Sequence, residues 1–141
     1  MLLDANLLIY AVDESTRQHE AARDWLTEQL SGSHRVGFPW VSLGAFLRIM
    51  TRPGALDRPL APEDAWGFVD AWLTAMPAWV PTPGAGHAQA LGSLITKHRV
   101  TGDLVTDAQL AALAIEHGLT VYSTDSDFAR FPEVRWINPL H

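Results

Sequence analysis

The 141-residue chain contains no cysteine. Disulfide frameworks, thiolate zinc sites and thiol catalysis are therefore excluded. No apolar run approaches the roughly 20 residues of a membrane-spanning helix. No basic stretch precedes the first apolar residues, and Met1-Leu2-Leu3 runs directly into Asp4. That is not the pattern of a secretory leader, so a cytoplasmic location is expected. Internal repeats, low-complexity tracts and inter-domain linkers are also missing. Positive charge is sparse: ten Lys and Arg face 16 Asp and Glu, for a formal net charge of −6. Taken as an average, that balance argues against a protein that coats nucleic acid.

What is present is an ordinary globular composition, 48% hydrophobic and 18% charged. The length suits one domain with a sizeable core, spanning residues 1–141. Leu2-Leu3 reads as a short buried strand, and Leu7–Val12 begins a helix. Residues 17–30 step at helical spacing through Ala21 and Trp25, with Ala22, Leu26 and Leu30 alongside. Val36–Phe38 is a strand stopped by Pro39. Val41–Thr51 is a helix with Leu43, Phe46, Leu47 and Met50 on one side, broken by Pro53-Gly54. A loop is expected over Ala55–Ala61. Pro62-Glu63-Asp64 starts a helix whose expected buried stripe is Trp66, Val69, Leu73 and Met76, with Trp72 beside it. Trp79-Val80 is a strand candidate and 87–98 a helix. Leu104–Glu116 is an alanine-rich helix, with Leu110, Leu113 and Ala114 inward and Gly118 as its cap. Leu119–Tyr122 and Arg135–Ile137 read as strands around a polar turn. This alternation of short strands and helices predicts an α/β fold: three layers, α/β/α, around a short, mostly parallel sheet.

In open α/β sheets the working site lies at the carboxyl ends of the strands. Acids fall at those places. Asp4 follows the first strand. Asp125 follows Val121-Tyr122, with Asp127 two residues on. Asp103 and Asp107 flank the start of the alanine-rich helix, four apart and on one face. Each has a plainer reading: Asp4 and Asp107 as helix-start residues, and Thr124–Asp127 as a turn bonded to its own backbone. Together they suggest more. Packed carboxylates repel unless one is protonated. A hard divalent cation relieves that repulsion, and Mg²⁺ or Mn²⁺ takes oxygen ligands while keeping waters. Clustered carboxylates at strand ends thus point to metal-dependent phosphoryl or phosphodiester chemistry.

These residues resemble the PIN-domain ribonucleases, specifically the toxins of VapBC toxin–antitoxin systems. The likeness runs from Leu3-Asp4-Ala5-Asn6-Leu7-Leu8 through Pro39–Leu43 and Phe46-Leu47-Arg48. It continues in Asp107–Ala114 and Ser123-Thr124-Asp125-Ser126-Asp127-Phe128, and it closes on Phe131 and Arg135–Leu140. The resemblance implies endonucleolytic cleavage of RNA with Mg²⁺ or Mn²⁺, through in-line attack by a metal-activated water. It implies Asp4, Asp107 and Asp125 as catalytic residues and metal ligands. Asn6, Asp103, Thr124 and Asp127 would support the pocket. A VapB-like antitoxin and a homodimer are the implied partners. One departure stands out. The family usually carries Glu three residues before the Arg of its second motif, and counting back from Arg48 reaches Ala45. That departure keeps a second reading open: a weak or inactive PIN-fold module that mainly binds antitoxin within a DNA-binding complex. A receiver-like phosphoacceptor domain fits less well, since no Lys follows Tyr122.

RNA approaching an acidic pocket needs clustered bases. Arg48 and Arg52 lie four apart on one helix and are the candidates for substrate binding. Lys97 and Arg99 also fit as helix-end residues that complement the dipole. The six tryptophans read as core or interface, with Trp25 and Trp66 on core stripes. His117 reads as a helix-end residue. If Asp4, Asp103, Asp107, Asp125 and Asp127 serve a cation, the sixteen acids less those five leave eleven against ten bases.

Overall fold

The computed structural model describes residues 1–54 and 58–140. Of the expected loop at 55–61, residues Ala55, Leu56 and Asp57 lie outside that range. Five two-residue strands form one sheet: β1 (Leu2–Leu3), β2 (Val36–Gly37), β3 (Ala78–Trp79), β4 (Val121–Tyr122) and β5 (Trp136–Ile137). Their order is β3-β2-β1-β4-β5, and every pairing is parallel. Sequence-distant strands β1 and β4 are therefore neighbours, with Leu3 opposite Tyr122. Six helices among the described residues flank the sheet: α1 (Ala5–Val12), α2 (His19–Leu30), α3 (Trp40–Met50), α4 (Pro62–Thr74), α5 (His87–Lys97) and α6 (Leu104–His117). A 3₁₀ turn covers Ser126–Arg130.

Alternation along each strand sends successive side chains to opposite faces. Leu2 and Val121 pack with α5, α6, Phe128 and Phe131. Leu3, Val36 and Tyr122 pack with α1, α2, α3 and α4. That division yields the three layers expected, with a sheet buried on both sides, as all-parallel sheets are. Gly37 sits where backbones nearly touch: a Cβ there would lie 2.8 Å from the Met1 carbonyl oxygen. Gly118 ends α6 with φ 66°, the left-handed cap that its sequence position predicts.

Two helices present different faces from those expected. In α4 the buried residues are Ala65, Val69 and Trp72. Trp66 is exposed, and Met76 lies beyond the helix in solvent. Trp72 wins the core because it fits between Phe38 and Phe46, with ring centroids 6.1 and 4.9 Å away. In α2 the buried face is Ala22 and Leu26, and Ala21 is exposed. Trp25 is half-buried, stacked on Tyr122 at 5.7 Å.

Candidate active site

The site is built where β1 and β4 end side by side. Asp4 leaves β1 with extended backbone and begins α1, and its Oδ1 accepts the Ala5 N–H at 2.7 Å. The helix-start reading and a site role thus coexist in one carboxylate. Its other oxygen accepts from the Ser123 hydroxyl at 2.7 Å and the Asn6 amide at 3.3 Å. The fully buried Ser123 follows β4 and is the hub. Its Oγ also accepts from Asn6 Nδ2 and from the Asp125 N–H, each at 3.0 Å. Asn6 in turn accepts the Thr124 N–H at 3.3 Å. Thr124 therefore contributes its backbone to the pocket. Asp125 then caps the 3₁₀ turn by accepting the Asp127 N–H at 2.8 Å.

The opposite wall is α6. Asp107 lies in its first turn. One carboxylate oxygen from each of Asp107, Asp125 and Asp127 lies within 4.8 Å of the others. This is the tightest group of potential ligands among the described residues, and it differs from the expected set. Asp127, placed in support by the sequence, joins the group, whereas Asp4 stands beside it. Asp103 begins α6 on the exposed side and makes no capping hydrogen bond through its side chain. Arg130 reaches Asp127 at 3.9 Å.

Electrostatics mark the same place. Burial pushes the Asp107 carboxyl up to about 7, reinforced by the negative charges of Asp125, Asp4, Asp127 and Asp103. Burial also raises Asp4; hydrogen bonds from Ser123 and Ala5 oppose this, and the charge of Asp125 adds to it. Such crowding is unfavourable without a cation, and three hard carboxylate oxygens match what Mg²⁺ or Mn²⁺ takes. The donor set therefore fits a hard divalent ion.

The residues expected to meet substrate are placed differently. Arg48 and Arg52 are exposed on and just after α3. Lys97 lies 3.8 Å from Glu133, which also bonds His98 at 2.8 Å. His117, a helix-end residue, donates from Nε2 to the Thr82 carbonyl oxygen at 2.8 Å. Sequence reasoning did not single out Ser123. Its signal was a small hydroxyl residue directly after a β-branched, aromatic strand and two residues before the first of the acids.

Residues 1–134 match the PIN domain family. The chain belongs to that family. Its curated relatives include ribonuclease VapC37 of Mycobacterium tuberculosis, 45% identical over 98% of this chain and 96% of the relative. Ribonuclease VapC33 of the same species is 38% identical over 97% and 96%. Among solved structures, VapBC2 from Rickettsia felis bound to a promoter DNA fragment superposes with a TM-score of 0.70 at 16% identity, covering 97% and 96%. VapC20 of Mycobacterium tuberculosis, a sarcin-ricin loop cleaving toxin, gives 0.69 at 18% identity, covering 95% and 98%.

Proposed function

We propose that this chain is an endoribonuclease toxin of the VapC kind, hydrolysing RNA phosphodiester bonds with Mg²⁺ or Mn²⁺ as cofactor. The observation that carries this reading is the convergence of the Asp107, Asp125 and Asp127 oxygens within 4.8 Å. It occurs in a chain whose relatives are named ribonucleases. The cation would be held by Asp107, Asp125 and Asp127, with Asp4 at its margin. When bound, it would acidify a water and offset charge on the phosphate. The chain's own residues prepare that place. Ser123 and Asn6 fix the Asp4 carboxylate by hydrogen bonds. Asp125 is oriented by its own N–H on Ser123 Oγ. Asp107 must release its proton before it can act as a full anionic ligand. Ala45 contributes no carboxylate, and the Asp107, Asp125 and Asp127 trio forms without one. The proposed partners are RNA as substrate, a VapB-like antitoxin and a second copy of the chain. No helix among the described residues is long and apolar enough to cross a membrane.

The test is purified protein with Mn²⁺ and a mixed RNA pool. Cleavage is expected, and it should disappear in EDTA. Asp4→Asn and Asp107→Asn should each lower the rate by at least about 10–100-fold, the usual cost of losing even an outer partner of a metal site. Wild-type rates in Asp107→Asn would overturn the site.

A further inference from the structure

A second concavity opens on the edge of the sheet that carries the acids. It lies at the carboxyl ends of β2 and β3 and encloses about 180 Å³. Trp40, Pro81, Pro83 and His87 line it, with Gln109 and Leu113 from α6. Helix α6 also carries Asp107, two residues before Gln109. The start of α3 is tied to the acid site as well, because Ser42 Oγ donates to the Leu3 carbonyl at 2.7 Å, next to Asp4. Because β1 and β2 are neighbouring strands, the two features follow one another along the carboxyl edge of the sheet, while residues two apart on α6 face different sides of that helix.

The far wall is held in place before any ligand arrives. Glu116 accepts the Gly84 N–H at 2.8 Å and pairs with His87 Nδ1 at 3.0 Å. His117 Nε2 lies 2.8 Å from the Thr82 oxygen. Three contacts from the end of α6 therefore brace the segment from Thr82 to His87. Trp40 stays half exposed at 50%, although it is large and aromatic. Among the described residues, no carboxylate lines the space.

We propose that this concavity receives one unstacked base of a single-stranded RNA whose neighbouring phosphodiester lies at the acid group, with Trp40 as the stacking platform. The inference rests on the ribonuclease reading and adds a base-binding subsite to it. The volume is below the roughly 300 Å³ at which pockets begin to hold drug-sized ligands, and suits a single flat ring system. An aromatic face is the common partner for a splayed base, and it tolerates many sequences. The Gln109 amide offers both a donor and an acceptor for a base edge. The absence of lining carboxylates lets the strand pass without the repulsion that the acid group alone imposes.

The experiment measures cleavage of a short single-stranded RNA by the whole chain in Mn²⁺, using wild type, Trp40→Ala, Trp40→Phe and Gln109→Ala. Each is paired with the same RNA carrying one abasic position beside the cut. Trp40→Ala should raise KM roughly tenfold, the scale of one lost base–aromatic stack, with kcat little changed. Trp40→Phe should recover most of that loss. The abasic RNA should cost wild type a similar factor and Trp40→Ala almost nothing more, since both changes remove one contact. Sedimentation and melting temperature are followed in parallel. Cleavage by wild type with unchanged KM in Trp40→Ala overturns the subsite and leaves the ribonuclease reading standing. A shift of Trp40→Ala from dimer to monomer, with the abasic penalty intact, assigns the face to a second copy and also overturns it. Absence of any cleavage by wild type overturns both readings.

Discussion

Asp107 carries the sharpest consequence at the residue scale. Its carboxyl is held up near 7 in the folded chain, against an ordinary 3.8. Between those values the folded state keeps a proton that the unfolded chain has released, so stability from this group falls as pH rises through the window and is gone above about 7. Without divalent cation, Asp107→Asn should therefore melt higher than wild type near pH 8, and by a smaller margin near pH 5. The gain is about 1–2 kcal/mol once solvent screening of a half-exposed group is allowed for. Thermal melts in EDTA at both pH values check this, and a lower melting temperature of the variant near pH 8 would contradict it. The acids themselves were legible in the sequence, because strand ends can be read from short apolar runs. The hub was not. Ser123 looks like any turn residue until β1 and β4 pair and set its hydroxyl 2.7 Å from Asp4. Which acid stands in the tight group was also hidden, since Asp127 reaches it from the first turn of a 3₁₀ segment.

At the element scale, α3 joins the site through its first turn. Ser42 faces the β1 terminus, and Ala45 follows one helical turn later on the adjoining, half-buried face. A carboxylate at position 45 would point to the same end of β1. Ala45→Glu is thus expected to tighten Mn²⁺ binding by roughly 10-fold, within the range outer-shell partners command. Isothermal titration with Mn²⁺ measures it, and weaker binding would show that the register of the second motif is misplaced. Element order and type were readable from periodicity and from punctuation such as Pro62 and Gly118. The face that each helix buries was less readable. Periodicity offers Trp66 and Trp72 as nearly equal anchors for α4, and only the space between Phe38 and Phe46 selects Trp72.

The whole molecule has a net charge of −6, yet its acids do two kinds of work. Some solvate the surface. Others are drawn together by the sheet against their mutual repulsion, so the fold stores strain that a cation would release. Melting temperature should accordingly climb with Mn²⁺ or Mg²⁺, by several degrees at about 100 times the dissociation constant, where linkage supplies about 2.7 kcal/mol. A melting temperature indifferent to either ion at every concentration would end the clustered-acid reading. The pairing of β1 with β4 has another effect, in time. During synthesis Asp4 leaves the ribosome early, while Asp107, Asp125 and Asp127 follow about a hundred residues later. Contacts so far apart in sequence form slowly and late. A nascent chain holding only its first two thirds has a central strand with one flank open and, of the acid group, Asp4 alone. A chain with this topology cannot gather its acid group until almost all of it has emerged.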